Sequence, residues 1–167
     1  MRRRAGDWAV LASTLLAACA AGTAGAQTPP AAKPPPPAAV EAVGKAVEGF
    51  MEALNTADIE RFSSYFADDA TMFFPLAPLY LRLENKDQIV KVFTVFFESV
   101  RKGKTGPNYM NLAAQDLRIQ LHGGTAVATF HFKGPDQVSR RTLVLVREGG
   151  KWLIVHMHAS GITVPKE

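Results

Sequence analysis

The apolar residues of this chain change period partway along, and that change constrains the fold more than any other feature. Val40, Val43, Val47, Phe50, Met51 and Leu54 recur three or four residues apart, as do Ile89, Phe93, Phe96, Phe97 and Val100, so each set forms one apolar stripe on a helix. From Leu117 onward the period is two. Leu117, Ile119 and Leu121 alternate with Arg118 and Gln120, and three turn signals, His122-Gly123-Gly124-Thr125, Gly134-Pro135-Asp136 and Glu148-Gly149-Gly150, separate strands over 126–133, 140–147 and 152–162. Helices first and an antiparallel meander afterwards predict an α+β fold.

Between the two helical stripes, Asn55-Thr56-Ala57-Asp58 breaks the pattern and offers a cap to a short second helix carrying Phe62 and Phe66. Asp68-Asp69 is expected to end that helix, and Ala70 to Phe74 reads as a strand stopped by Pro75. An irregular loop through Leu76, Pro78, Leu79 and Tyr80 follows. Asn85-Lys86-Asp87-Gln88 then resembles a capping box for the third helix, whose end carries Arg101, Lys102 and Lys104, where cations favour the helix dipole.

The pleat carries the reading further. The first long strand has one polar face, whereas the last two are apolar on both: Val144 and Val146 against Leu143 and Leu145, Trp152 and Ile154 against Leu153, Val155 and Met157. Helices cover only one face of such a sheet. The other is expected to meet a second copy, which predicts a homodimer through the sheet.

Ahead of the domain, Arg2 to Arg4, the apolar run Trp8 to Ala20 and the small residues Ala24-Gly25-Ala26 have the three-part layout of a secretory signal. Cleavage after Ala26 would define a signal over 1–26 and a periplasmic or secreted protein. Leu16-Ala17-Ala18-Cys19 resembles a lipoprotein signal over 1–18, with Cys19 acylated and the protein anchored to a membrane. Both readings stand at this point. The apolar run is too short to span a bilayer, so no transmembrane helix is expected after processing.

Residues 27–39, nearly all Pro and Ala with Lys33, read as a semi-rigid tether, and 40–167 as the domain. Cys19 is the only cysteine, which removes disulfides, thiol nucleophiles and cysteine-bound zinc from the domain. Loss of Arg2, Arg3, Arg4 and Asp7 lowers the formal net charge from +4 to about +2. With no clustered basic face, a nucleic-acid partner is not expected.

Asp58-Ile59-Glu60, then Tyr65-Phe66-Ala67-Asp68-Asp69-Ala70-Thr71 and Pro75, resemble the second helix and first strand of the SnoaL-like, nuclear transport factor two-like superfamily. Arg141-Thr142 and Gly150-Lys151-Trp152-Leu153-Ile154-Val155-His156-Met157-His158-Ala159-Ser160-Gly161 resemble the last two strands of its polyketide-cyclase-like members, and equally those of the calcium/calmodulin-dependent kinase II association domain. The resemblance implies a cystatin-like cone: three N-terminal helices packed on a strongly curved antiparallel sheet, with a pocket open at one end. It leaves function open, because one fold hosts many chemistries. The ketosteroid-isomerase branch places a tyrosine, a general-base aspartate and a proton-donating acid at positions that fall here on Phe50, Phe74 and near Leu143 or Leu145. All are apolar, so that branch's proton transfer lacks its base and its donor.

His131, His156 and His158 are the remaining candidates for acid–base work, His131 and His156 foremost, since an imidazole titrates near neutrality. His131 falls where the kinase association domain carries a pocket-lining arginine. The expected pocket lining is Phe50, Tyr65, Met72, Phe74, Tyr80, His131, Leu143, Leu145 and His158. No carboxylate is placed to complete a metal-binding H-x-H set, and neither metal nor cofactor is expected. Two functions follow: a dimeric module that binds a small apolar or weakly acidic molecule or serves assembly, and a cofactor-independent isomerase, dehydratase or cyclase using a pocket histidine.

Overall fold

The computed structural model describes residues 36–75 and 81–164. The signal, Cys19, most of the tether and Tyr80 lie outside the described residues.

Helix α1, Pro37–Asn55, buries Val43, Val47, Phe50, Met51 and Leu54, the expected stripe. It starts three residues before the expected boundary at Val40, because Pro36 and Pro37 suit a helix start: a proline in the first turn has no N–H to lose and a preset φ. Helix α2, Ile59–Ser63, is capped by the Asp58 carboxylate, which accepts from the Arg61 N–H at 3.0 Å. Strand β1, Phe66–Phe73, then takes up Phe66, Asp68 and Asp69. The two aspartates therefore lie within a strand and do not end a helix as expected. They stay solvated because β1 is irregular between Phe66 and Thr71, which leaves both exposed.

Helix α3, Lys86–Arg101, opens with Asn85 accepting from the Gln88 N–H at 3.0 Å, while the Gln88 amide oxygen accepts from the Glu84 N–H at 2.9 Å. The capping box thus closes one residue further out than its standard form. Strands β2 (Gln115–His122), β3 (Thr125–Lys133), β4 (Gln137–Glu148) and β5 (Lys151–Thr163) form the antiparallel meander. The sheet order is β1-β5-β4-β3-β2, and β1 adds to β5 in parallel, making a mixed sheet. None of the described helices is long and apolar enough to cross a membrane.

The helices cover one face of the sheet. On that inner face stand Ala126, Ala128, Phe130 and Phe132 of β3, Leu143 and Leu145 of β4, and Trp152, Ile154, Met157 and Ala159 of β5, all buried. The β5 series is not a simple alternation. Ile154 pairs with Leu145 and His156 with Val144, so Val155 is an extra residue. Met157 therefore joins Trp152 and Ile154 on the inner face, and not Leu153 as strict alternation would have it.

One close approach fixes how α1 meets the rest. A Cβ at Gly49 would lie 2.0 Å from the Tyr65 hydroxyl oxygen and 2.9 Å from its ring. Alanine normally favours a helix over glycine by about 1 kcal/mol, but Gly49→Ala must push Tyr65 off α1 and is expected to destabilise by roughly 1–2 kcal/mol. In a Tyr65→Ala background the same change should become stabilising. Urea midpoints of the four proteins check the reversal of sign.

Candidate functional site

The strand pairings lay the inner face out in rows. Ala126, Leu145 and Ile154 form one, Ala128, Leu143 and Met157 the next, then Phe130, Arg141 and Ala159, then Phe132, Ser139 and Gly161. The first two rows are sealed under the helices, and Phe50, Met72, Leu143 and Leu145, all expected to line a pocket, are fully buried core. Tyr65 is half-buried against Gly49 of α1. Phe74, also half-buried, packs on Phe93 and Phe96 at centroid distances of 5.0 and 6.1 Å.

The later rows extend toward the β3–β4 turn, and there the inner face carries a charge. Arg141 shares the parity of Leu143 and Leu145. Its guanidinium lies 4.9 Å from the centre of the Phe132 ring, and its Nη1 donates to the Ser139 hydroxyl and the Arg140 carbonyl, both at 2.9 Å. Burial lowers its pKa to about 10, which still leaves it cationic at neutral pH. Among the described residues it forms no ion pair with a carboxylate. It lines a cavity of about 430 Å³ together with Leu112, Phe132, Ser139, Gln137 and the rim residues Lys133 and Asp136. Arg141 is not among the residues expected to line the pocket. The signal was available, since extending the Leu145–Leu143 alternation by one step places it on the buried side.

All three candidate histidines stand on the opposite, outer face. In β3 the buried set is even-numbered, so His131 faces outward with Val127 and Thr129. Its Nε2 lies 3.5 Å from the carboxylate of Asp116, a residue held at φ 51° where β2 slips register against β3. The bulge at Val155 sends His156 and His158 outward as well. His156 Nδ1 shares a hydrogen bond of 2.8 Å with the Thr71 hydroxyl, and Phe73 packs 5.9 Å from both rings. Burial, then the neighbouring His158 and Arg82, hold the His156 pKa below the usual imidazole value. His131 sits two strands from β5, with β4 between them.

Two of the other depressions are less chemical. A groove of about 580 Å³ between α1 and residues 108–117 is walled by Glu48, Glu52 and Asn55 and carries neither a cation nor an imidazole. A second, of about 440 Å³, opens beside Tyr65 and Trp152, with Lys45 and Lys151 at its edge. Among the described residues no three His, Cys, Asp or Glu side chains are grouped to hold a metal ion.

The SnoaL-like domain family matches residues 43–165. The fold is similar to the crystal structure of an NTF2-like protein of unknown function from Pseudomonas putida KT2440, at 25% identity and a TM-score of 0.62 over 74% of this chain and 86% of that one. It is also similar to the S. rosetta CaMKII hub, at 21% identity and a TM-score of 0.58 over 78% of this chain and 100% of that one. A ketosteroid isomerase-like protein from Erwinia carotovora atroseptica aligns at 18% identity and a TM-score of 0.59, over 75% and 97% of the two chains. No curated protein matches the sequence.

Proposed function

The chain belongs to the SnoaL-like domain family, and within that family we propose that it is an exported binding and assembly module: it pairs through the outer face of its sheet and keeps the inner face for a small apolar or weakly acidic molecule. The observation that carries the pairing is the outer face itself. Val127, Val144, Val146, Leu153 and Val155 stand there half-buried among polar neighbours, and among the described residues no helix packs on that side. An apolar strip of this kind on a twisted sheet is suited to a two-fold partner presenting the same strip. That similar folds include a hub and an association domain agrees with an assembly role.

Sedimentation and light scattering of the purified chain test the pairing. The wild type should run as a dimer. Val144→Glu should weaken self-association at least about 100-fold, since an unpaired carboxylate from each copy in an apolar interface costs several kcal/mol, while leaving the far-UV spectrum unchanged. A monomeric wild type, or a Val144→Glu protein that dimerises as well as the wild type, counts against it.

The enzyme reading keeps one foothold, the His131–Asp116 contact at 3.5 Å. An imidazole oriented by a carboxylate is a general-base arrangement. It lies across the sheet from the inner face, so catalysis there would require a substrate bound on the outer face.

A further inference from the structure

We infer that Arg141 anchors an anion-binding subsite at the β3–β4 end of the inner face, one that takes the carboxylate of a small monoacid and packs its apolar part against Phe132 and Leu112. The inference names the ligand class for the binding half of the function proposed above and rests on it.

Arg141 is half-buried, and even partial removal of a guanidinium from water costs free energy unless its charge and donors are matched. Here the matching is partial. The bonds to Ser139 and Arg140 both leave from Nη1, and the Phe132 ring offers its face to the cation. An arginine has five N–H donors in a planar fork, so the Nε and Nη2 edge is left without a protein acceptor among the described residues. That edge has the spacing of the two oxygens of a carboxylate. The lowered pKa of Arg141, caused by burial, has no opposing contribution from an acid. A bound carboxylate would supply one.

The cavity selects further. Among the described residues its ionisable lining is Arg141 and Lys133 against Asp136, an excess of one positive charge, which suits a monoanion better than a phosphate dianion. Phe132, beside the guanidinium, and Leu112 give the lining its apolar surface, and Ser139 and Gln137 add hydrogen-bonding groups. At about 430 Å³ the space lies in the range of small-molecule sites. The charge and the apolar surface together describe an aryl or short alkyl acid.

The test uses the full chain at neutral pH with benzoate, benzamide and inorganic phosphate as probes, reading the Arg141 Nε–Hε NMR signal and the thermal midpoint. Benzoate should shift the Arg141 signal saturably and raise the midpoint. Benzamide, the same shape without the charge, and phosphate should each bind at least about tenfold more weakly. Arg141→Met should abolish the benzoate response, and Arg141→Lys should restore only part of it. The inference is overturned if no saturable shift occurs, if benzamide or phosphate binds as well as benzoate, or if Arg141→Met still binds it. Should Arg141→Met fail to fold, the three-probe comparison on the wild type decides alone. The mass of the same samples separates this subsite from the pairing: a monomer that binds benzoate overturns only the dimer, and a dimer that does not overturns only the subsite.

Discussion

Replacing Phe62 by alanine is expected to destabilise the domain by about 3–5 kcal/mol, the usual cost of emptying a fully buried phenylalanine site. Phe62 is the side chain through which the short α2 is held. Its ring lies 5.4 Å from Phe50 of α1, 5.1 Å from Phe66 of β1, and 4.4 and 5.3 Å from Phe93 and Phe97 of α3. A five-residue helix has almost no stability of its own, so nothing local refills the hole. At about 4 °C per kcal/mol the midpoint should fall by roughly 12–20 °C. Phe62→Leu, which keeps most of the volume, should cost about a third as much. Thermal and urea unfolding of both variants measure the difference, and a loss below about 1 kcal/mol for alanine would show that the aromatic cluster does not organise the helices.

The second large effect is expected at Asn55, the last residue of α1. Its Nδ2 donates to the Leu112 carbonyl and its Oδ1 accepts from the Leu112 N–H, each at 2.9 Å. Its backbone carbonyl accepts from the N–H groups of Tyr109 and Met110 at 3.0 and 3.1 Å. One asparagine thereby pins the segment before β2 to the end of α1. Alanine would leave a part-buried N–H and C=O of Leu112 without partners, an expected loss of about 2–4 kcal/mol. Aspartate keeps the bond from the Leu112 N–H but turns a carboxylate oxygen toward the Leu112 carbonyl, so it should recover little. Hydrogen exchange at Leu112 should accelerate in both variants. Because Leu112 is also a wall of the Arg141 cavity, benzoate affinity should fall with it, whereas Phe62→Leu should leave that affinity unchanged.

The elements themselves were readable because their signals are local. The stripe Val43–Val47–Phe50–Leu54 became the buried side of α1, Asp58 and Asn85 became helix caps, and the three Gly-containing turns separate the four meander strands. The candidate site was much less legible. Phe50, Met72, Leu143 and Leu145 have the apolar character of a pocket lining, but the same character serves a filled core, and only the helices lying over them distinguish the two. His131 could have been placed from the even-numbered run Ala126, Ala128, Phe130 and Phe132. His156 and His158 could not, because no glycine or proline marks the bulge at Val155.

By itself, then, the sequence determined the order and type of the elements, their ends to within a few residues except at the α2–β1 boundary, which face of α1 and α3 is apolar, and that the fold is α+β. These follow from interactions between residues a few positions apart, repeated along the chain. The tertiary structure alone decided that β1 lies parallel to β5, that one extra residue in β5 turns two histidines outward and Met157 inward, and that Arg141 is half-buried against the Phe132 ring beside a cavity that Leu112 also lines. Each of these depends on segments brought together across tens of residues. Strand register and burial are set by the partner a residue meets, and one residue of slip exchanges the two faces of a strand.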